Sequence, residues 1–360
     1  MVIDRLPDYA LTSEFGNIEL SSVTGYVDME IFFESKSILN ERYFPNIHGY
    51  VTIYNIGEVA LNLATIPELS SVNLSLGLSY VSLTIKLTQK STAPVEEVRY
   101  FHITSVNTDG TVNHDNMVIT PLSLTNEKRT GTGRKEFISF FGSDEPISLY
   151  AVYKSTTGDK GITISTYATP TFGYFGLFSF DVSPALVAAK IGCSEKDLVY
   201  YNIYRSSSRV IRFVMSERQY THLKTFGFIN GFYGQETFHA MEAGHFQTKY
   251  DRNIGAISGV RRQFRPNVEK IYSVNTGWLK RNEIPVLEDL LTSQRVGLWE
   301  NNTFVPVIIQ TDSIKISDRR DELIAVEFNY RYADDRYHRY NYATRPLAGV
   351  FDDTFDPTFN

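Results

Sequence analysis

One stretch of this 360-residue chain brings two histidines and a carboxylate close together in sequence. His239, Glu242 and His245 are residue types that bind zinc, provided that one element holds all three around the ion. On a helix, His245 would lie about 240° around the axis from His239, whereas on a strand the two histidines share a face and Glu242 points away. Neither geometry gathers three ligands. We therefore predict ordinary surface or interface histidines and no metal site.

Other local patterns that could support chemistry are incomplete. The turn Gly131-Thr132-Gly133-Arg134-Lys135 resembles a phosphate-binding loop, but Glu136 replaces the third glycine of the dinucleotide fingerprint and no Gly-Lys-Ser/Thr sequence follows. A solvated basic turn is favoured over an anion site. Ser258-Gly259 lacks the first glycine of a nucleophile elbow. The single Cys193 is interpreted as a small buried apolar residue. We predict no catalytic residues and no cofactor.

Charged residues point to ion pairing more than to a polyanionic partner. The net charge is -6, which gives no general attraction to nucleic acid or to an anionic membrane. Arginines nevertheless cluster in two regions, and strand alternation would place part of each cluster in cross-strand pairs. We favour inter-subunit arginine–carboxylate pairs over nucleic-acid contact for these residues, which are Arg205, Arg209, Arg212, Arg218, Arg261, Arg262 and Arg265. Asp352, Asp353 and Asp356 lack the spacing of a calcium loop.

The elements that would carry these residues are mostly strands. Aromatic residues make up 14% of the chain, and residues 26–34 alternate apolar and polar side chains as half-buried strands do. Glycine, proline, asparagine and aspartate separate the short runs, and Asp109-Gly110 fits a tight hairpin turn. We predict a mainly β protein built of tandem antiparallel β-sandwich domains. The runs are Tyr26–Glu34, Tyr50–Tyr54, Val81–Leu87, Arg99–Val106, Ile147–Tyr153 and Ile162–Tyr167.

Three short helices are predicted. One begins after Ser183 with Pro184 in its first turn and ends at Gly192. A capping signal at Ser194 predicts a second helix that runs to about Tyr200. A third, Glu283–Ser293, has one apolar face and would cover a sheet.

The strand pattern is clearest near the end of the chain. Arg295–Glu300 and Thr303–Gln310 flank a tight turn at Asn301-Asn302, and Pro306 predicts an edge position or a bulge in the second strand. Alternation then places five apolar residues on one face, namely Ile324, Val326, Phe328, Tyr330 and Tyr332. From the breaks in pattern we predict an N-terminal β-sandwich domain at residues 1–120 and a β-rich region at 121–335. This second region holds the helices near 184–200 and 283–293 and is divisible near 240.

Residues 336–360 are predicted to form an aromatic C-terminal arm that contacts its own domain or a neighbouring subunit. Burial of its aromatic rings would offset only part of the entropy lost on ordering about 25 residues, so added backbone hydrogen bonds are needed. The predicted interface residues are Tyr337, Tyr340, Tyr342, Phe351, Phe355 and Phe359.

Three stretches resemble one group of proteins. Residues 38–53, with Ile38-Leu39-Asn40-Glu41-Arg42-Tyr43-Phe44-Pro45 before Gly49-Tyr50-Val51-Thr52-Ile53, resemble the first-domain hairpin of structural tail proteins from phages and prophages of Bacteroidota. Phe228-Ile229-Asn230-Gly231-Phe232-Tyr233-Gly234-Gln235-Glu236-Thr237 is similar to a turn of the same proteins. Asn275-Thr276-Gly277-Trp278-Leu279, followed by Asp289-Leu290-Leu291-Thr292-Ser293, is similar to their late strand–helix unit.

The resemblance implies a virion tail component, a distal-tail or baseplate protein that joins the tail tube to the tail tip. It also implies a homo-oligomeric ring, with six copies expected, other phage tail proteins as partners, and no catalytic residues to transfer. The N-terminal residues show no secretion signal and no segment is long enough to span a membrane, so synthesis in the host bacterial cytoplasm is expected.

Two other functions fit the same composition. A carbohydrate-binding β-sandwich adhesion protein is the first alternative, with sugars stacked on exposed rings such as Trp278, Trp299 or Tyr233. A hydrolase comes third, because two carboxylates could meet from distant strands. The sequence offers no such pair.

Overall fold

A computed structural model describes residues 1–6, 9–76, 80–106, 121–141, 146–169, 177–205, 208–216, 223–241, 244–257, 260–310 and 324–333. Within these ranges the chain is mainly β, as predicted, with several antiparallel sheets and three α-helices. None of these helices is long and apolar enough to cross a membrane. The turn predicted at Asp109-Gly110 and the arm at 336–360, with its three aspartates and six interface aromatics, lie outside the described residues.

The N-terminal part consists of two sheets around one apolar core. A three-stranded sheet has the order β1-β3-β6, and a five-stranded sheet has the order β2-β9-β8-β4-β5, in which β2 and β9 are parallel. Alternate residues of β4 and β8, such as Val27, Ile31 and Leu83, are buried between the sheets. The elements are β1 (Val2–Arg5), β2 (Tyr9–Leu11), β3 (Ile18–Ser21), β4 (Val27–Phe33), β5 (Lys36–Tyr43), β6 (Val51–Ile53), α1 (Ile56–Asn62), β7 (Leu74–Leu76), β8 (Tyr80–Gln89) and β9 (Val95–His102).

The middle part forms a second core. Its five-stranded sheet has the order β10-β16-β15-β12-β13, with β10 and β16 parallel, and its three-stranded sheet, β11-β14-β7, takes β7 from the N-terminal part. The elements are β10 (Glu127–Thr130), β11 (Phe137–Phe141), β12 (Ile147–Ser155), β13 (Gly158–Ala168), β14 (Leu177–Asp181), α2 (Pro184–Ile191), a 3-10 turn (Glu195–Asp197), β15 (Leu198–Arg205) and β16 (Ser208–Met215).

The first predicted helix is confirmed and the second is too long. Helix α2 follows Ser183, begins with Pro184 and ends at Gly192, whose φ is 74°. The helix predicted from Ser194 to Tyr200 is instead a single 3-10 turn, and β15 begins at Leu198. Residues of β15, Tyr201 among them, enter the second core and pair with β12 and β16. Burial of this apolar run in the sheet therefore outweighs the local helix signal.

The C-terminal part is a seven-stranded sheet, β18-β17-β21-β22-β23-β20-β19, covered by a helix. The predicted helix is present as α3, whose Val286, Leu287 and Leu290 are buried in the sheet's core. All five apolar residues of the predicted late alternation are buried as well. The elements are β17 (Lys224–Ile229), β18 (Gln235–Ala240), β19 (Phe246–Ile257), β20 (Val260–Asn275), a 3-10 turn (Arg281–Glu283), α3 (Ile284–Thr292), β21 (Val296–Glu300), β22 (Thr303–Ile309) and β23 (Glu327–Tyr332).

Pro306 does not mark an edge strand, because β22 lies between β21 and β23. The prediction of an edge or a bulge is wrong for the strand as a whole. Pro306 lies opposite Ala333, just past the last residue of β23, and its carbonyl accepts the Ala333 N–H at 3.0 Å. The N–H that proline lacks would face this end of β23, so little of the strand pairing is lost.

The sheet of β11, β14 and β7 is the middle layer of the molecule. Every residue of β11 and β14 is buried. Phe140 and Phe180 belong to the core shared with the five-stranded sheet, whereas Ser139 and Ser179 face β18 of the seven-stranded sheet. Small side chains are needed there, since a Cβ atom on Gly234 would lie 2.6 Å from the Cβ of Ser139.

The loop between β17 and β18, residues 230–234, joins the N-terminal part to the rest. The Ser105 N–H donates to the Gly231 carbonyl at 2.7 Å. A Cβ atom on Gly231 would lie 2.1 Å from Cγ2 of Val106, although the φ of Gly231 lies outside the left-handed region. Glycine is required here by space and not by backbone conformation.

We predict that Gly231→Ala destabilises the protein by about 1–3 kcal/mol through overpacking, and that Val106→Ala relieves much of that loss. The measurement is urea unfolding of the two single variants and the double variant, which gives their coupling free energy. Val72→Ala, at an exposed valine, is the matched control and should not rescue. If Gly231→Ala had the same coupling free energy with Val106→Ala as with Val72→Ala, the loop would not pack on residue 106.

Candidate functional site

The most unusual site in the described residues is a buried polar seam along the β17–β18 hairpin. Its loop is organised by Asn230, whose Oδ1 accepts the N–H groups of Phe232 at 3.1 Å and Gly234 at 2.9 Å. The Asn230 Nδ2 donates to the Leu122 carbonyl at 2.5 Å and to Glu236 Oε2 at 2.9 Å. These bonds use both donors and both lone pairs of the amide. One side chain thus fixes the loop and ties it to the middle part.

The strand that follows faces two ways, as the period of a strand requires. Phe238 and Ala240 enter the apolar core of the seven-stranded sheet, and Gln235, Thr237 and His239 face the opposite way. The Gln235 amide makes two hydrogen bonds with the backbone of Ser70, 2.8 Å from Ser70 N to Oε1 and 2.7 Å from Nε2 to Ser70 O. The seam therefore connects the C-terminal sheet to the N-terminal part as well.

His239 lies inside the protein and not on its surface. Its Nε2 is 2.7 Å from Oε1 of Glu136, and its Nδ1 is 2.9 Å from Oγ1 of Thr225. Thr237 donates its hydroxyl to the other Glu136 oxygen at 2.8 Å. Burial lowers the pKa of His239 by more than the attraction of Glu136 raises it. A neutral imidazole that donates from Nε2 and accepts at Nδ1 satisfies both contacts.

A buried ion pair lies beside this histidine. Lys128 Nζ is 2.6 Å from Oε1 of Glu236, and both side chains are almost fully buried. Lys128 also donates to the Thr237 carbonyl at 3.2 Å, and Ser123 donates to Glu236 at 2.6 Å. Removing one partner of such a pair costs about 3–5 kcal/mol, because the other charge is left buried without compensation.

Lys128, Glu136, Thr237 and His239 line a cavity of about 30 Å³, which is room for one water molecule and not for an organic substrate. The histidine–carboxylate contact has the composition of a general base, but no space for a reactant adjoins it. This part of the seam therefore fits a structural role.

Asp289 of α3 completes the seam from the other side of the loop. Both carboxylate oxygens accept the Gly231 N–H, at 2.9 and 3.1 Å. Burial raises the pKa of Asp289 to about 7, although the Gly231 N–H opposes this rise. The carboxyl lines a cleft of about 310 Å³ between α1, the loop and the end of α3.

A second cleft, of about 600 Å³, lies between the N-terminal part, β14 and the hairpin loop. Phe32, Leu63, Ile103 and Leu177 make much of its wall apolar, and Tyr233 of the hairpin loop lines this cleft and also the smaller one. The φ of Tyr233 is 63°, a left-handed conformation that is uncommon for a non-glycine residue. The hairpin loop thus places the Tyr233 side chain at the wall of both clefts.

Apolar side chains on the described surface concentrate on two features. The turn after β5 presents Phe44, Ile47 and Tyr50, and Ile47 is 95% exposed. This turn is ordered by Asn46, whose Oδ1 accepts the N–H groups of His48 and Tyr50 at 2.9 and 3.0 Å. The second feature is the β19–β20 ribbon.

The β19–β20 ribbon is the hairpin from Phe246 to Ile271 that extends past the end of β23. Strand β20 pairs with β23 only from Tyr272 to Asn275, whereas its longer part, Val260–Tyr272, pairs with β19. The ribbon is about 35 Å long at about 3.3 Å per residue. Phe246, Tyr250, Ile254 and Val260 are all more than half exposed along it.

His239, Glu242 and His245, from which no metal site was predicted, have different environments. His239 is buried, Glu242 lies outside the described residues, and His245 is exposed with its Nδ1 3.9 Å from Oε1 of Glu327. The description of His239 as a surface histidine is wrong, because Glu136, 103 positions earlier, stabilises it inside the protein. Among the described residues, no three His, Cys, Asp or Glu side chains are placed to hold a metal ion.

The two basic side chains of the turn at 131–135 are not solvated, contrary to prediction, although Thr132 and Gly133 are exposed. Arg134 is buried, and Lys135 forms an ion pair with Asp181. The Lys135 ammonium also lies over the ring of Trp299, 5.1 Å from its centroid. The turn therefore packs against β14, which carries Asp181, and against β21, which carries Trp299.

The arginine clusters are split by the fold. Arg205 is fully buried, and its Nη1 donates to the Phe141 carbonyl at 2.8 Å, so an inter-subunit role for it is wrong. Arg212 donates to Asn202 at 2.9 Å and lies over the ring of Tyr200. Arg209 and Arg261 are exposed. Arg218 and the side chains of Arg262 and Arg265 lie outside the described residues, and the prediction for them stands.

The remaining predicted residues have mixed environments. Trp278 is half exposed, whereas Trp299 packs on Phe304 with ring centroids 5.0 Å apart. Cys193 is only partly buried, so its assignment as a core residue was too strong.

The seam is not predicted from the sequence. Glu136 interrupts a glycine pattern and Asp289 lies in a predicted helix, and neither position indicates buried polar contacts. The sequence prediction contains no strand at residues 235–240. A signal is nevertheless present there, because four of these six residues are polar and buried polar side chains need hydrogen-bonding partners.

No known protein family matches this chain, and no curated protein matches it at a significant level. The site must therefore be interpreted from its own geometry.

We predict that Asp289→Asn changes the pH dependence of stability in a defined window. The folded-state pKa, about 7, lies above the ordinary 3.8, so protonated Asp289 contributes stability that is present below about pH 4 and lost as pH rises through 7. Asparagine keeps an oxygen for the Gly231 N–H and never ionises. The variant should therefore gain stability relative to wild type between pH 4 and 7, by at most about 1.4 kcal/mol per unit.

The measurement is urea unfolding of both proteins from pH 4 to 8. Glu288→Gln, on the exposed face of the same helix, controls for loss of a negative charge from α3. A stability difference between wild type and Asp289→Asn that does not vary with pH would contradict the assignment.

Proposed function

We propose that this chain is a non-enzymatic structural subunit of a phage tail, of distal-tail or baseplate type, that assembles as a homo-oligomeric ring. The observation that carries an assembly role is the β19–β20 ribbon. Two strands alone are marginally stable in water, and this ribbon extends past its sheet with exposed apolar side chains. Such a surface is typical of a protein–protein interface.

The buried seam supports the same proposal in a different way. Hydrogen bonds from one hairpin reach Ser70 and Ser105 of the N-terminal part, Leu122 and Ser139 of the middle part, and Asp289 of α3. A subunit that passes force between its neighbours benefits from parts that do not move against each other. The tail-specific element of the proposal comes from the three sequence stretches described above.

A carbohydrate-binding function is the second candidate, and the exposed ring of Trp278 favours it. An isolated, saturable glycan site that is lost in Trp278→Ala would support this function. Ring assembly without glycan binding would support the first.

The oligomer is tested by native mass measurement and electron microscopy of the full chain, alone and with neighbouring tail proteins. A ring repeats one heterologous interface until it closes, and the resemblance leads us to expect six times the 41.0 kDa of one chain.

We predict that the double variant Tyr250→Ser, Ile254→Ser lowers the assembled fraction at least about tenfold. The free energy of unfolding of the monomer should change by less than about 0.5 kcal/mol.

Leu186→Ser with Ile308→Ser is the matched control, since both residues are exposed and apolar but lie on other surfaces. It should assemble as wild type does. The proposal would be abandoned if intact particles contained a single copy beside a multi-copy tube, or if the ribbon variant assembled normally.

The arm gives a separate prediction. Deletion of residues 336–360 begins after the last strand, β23, which ends at Tyr332, so the melting temperature should fall by only a few degrees. Incorporation into particles should fall strongly, because strand addition or groove docking repeats around a ring. A melting temperature lowered by tens of degrees, with normal assembly of the remaining protein, would mean that the arm packs on its own domain.

A further inference from the structure

The 310 Å³ cleft beside Asp289 has the features of a small binding site. It lies where the N-terminal part meets the hairpin loop and α3, and junctions of this kind are common places for ligands. Leu61, Ile66 and Ile229 supply an apolar wall, and Asp289 supplies the one carboxyl among the described residues that line the cleft.

That carboxyl has acceptor capacity to spare. Asp289 is 9% exposed, and the Gly231 N–H is the one donor that reaches its oxygens among the described residues. A carboxylate can accept about four hydrogen bonds. A buried carboxylate with one donor is costly when ionised, and a ligand that brings more donors offsets that cost.

The surroundings favour a positive ligand. No lysine or arginine is among the described residues that line the cleft. Helix α1 ends at Asn62 and α3 ends at Thr292, and both ends lie at the cleft wall. The carboxyl end of a helix carries partial negative charge and attracts cations. The carboxyl ends of two helices and the Asp289 carboxylate therefore all favour a cation in the cleft.

We propose that this cleft binds a cationic head group, a primary ammonium or a guanidinium carried on a short aliphatic chain, with the head at Asp289 and the chain against Leu61, Ile66 and Ile229. The inference does not depend on a tail function. A free amine and a lysine or arginine side chain of a partner protein have the same chemistry at this site.

Binding is measured by calorimetry on the full chain with n-butylammonium, n-butylguanidinium and, as the uncharged control, n-butanol. We expect millimolar binding of both cations and at least about tenfold weaker binding of butanol, because butanol brings no charge to Asp289. Asp289→Asn should weaken cation binding about tenfold or more and leave butanol binding unchanged. Cation binding equal to that of butanol, or retained in Asp289→Asn, would overturn the proposal.

The pH dependence gives an independent measurement. The charged groups that act on Asp289 are Glu236, which raises its pKa, and Lys128, which lowers it, and Tyr233 is the other titratable group at the cleft. Because the cation requires ionised Asp289, its affinity should rise between pH 5 and 7, by up to about tenfold per unit, and then level off. Butanol affinity should stay constant. A cation affinity that does not change over this range would contradict the role of Asp289.

Ala64→Leu tests the location without altering the carboxyl. Ala64 lines the cleft, and the larger side chain should exclude butylammonium and butanol alike. Unchanged binding of both in this variant would place the site elsewhere and overturn the proposal.

Peptides distinguish the two sources of the cation. Acetyl-Gly-Lys-Gly-amide and its arginine counterpart are compared with the free probes. Tighter binding of a peptide supports a partner side chain as the natural occupant, and tighter binding of the free cation supports a small molecule. Either result, with loss in Asp289→Asn, supports the cationic site.

Discussion

The fold depends on one constraint, which is that β18 is buried on both faces although four of its six side chains are polar. Each of Gln235, Thr237 and His239 would cost free energy in an apolar interior. The protein meets that cost by placing Ser70, Glu136 and Thr225 within hydrogen-bond distance of these side chains. These partners specify the register of β18, because a shift of one residue would turn its polar side chains toward the apolar core.

That constraint fixes how the C-terminal sheet, the middle layer and the N-terminal part meet. Apolar contacts tolerate small displacements, whereas hydrogen bonds of about 2.7–2.9 Å weaken quickly when groups move apart. Asn230, Gly231 and Gly234 bring the loop close enough for these bonds to form, and the last two do so by having no side chain. The junction is therefore specified by polar geometry, with apolar burial supplying most of the free energy.

Much of the fold could be predicted because local periodicity of apolar and polar residues indicates its strands and helices. The alternation in β4 and in residues 324–332, and the caps of α2, depend on neighbours a few positions apart. The contact of Glu136 with His239 spans 103 positions, and no local pattern reports it. Pro306 shows the same limit: its residue type predicted an edge, but the decisive fact is where the paired strand β23 ends. The short helix predicted through Tyr200 failed because sheet pairing of β15 outweighed a capping signal.

The buried seam and the exposed ribbon differ in how their groups are partnered. Inside, nearly every polar group of the seam has a partner, so the seam has little capacity left to bind anything else. Outside, the ribbon presents exposed apolar side chains, which are costly for an isolated chain and favourable only where another surface covers them. Asp289 differs from the rest of the seam, because it is a buried carboxyl beside an open cleft and has one donor among the described residues. It lies at the place where the loop, α3 and the N-terminal part meet, so a cation bound there would add its attraction to the contacts that hold these three elements together.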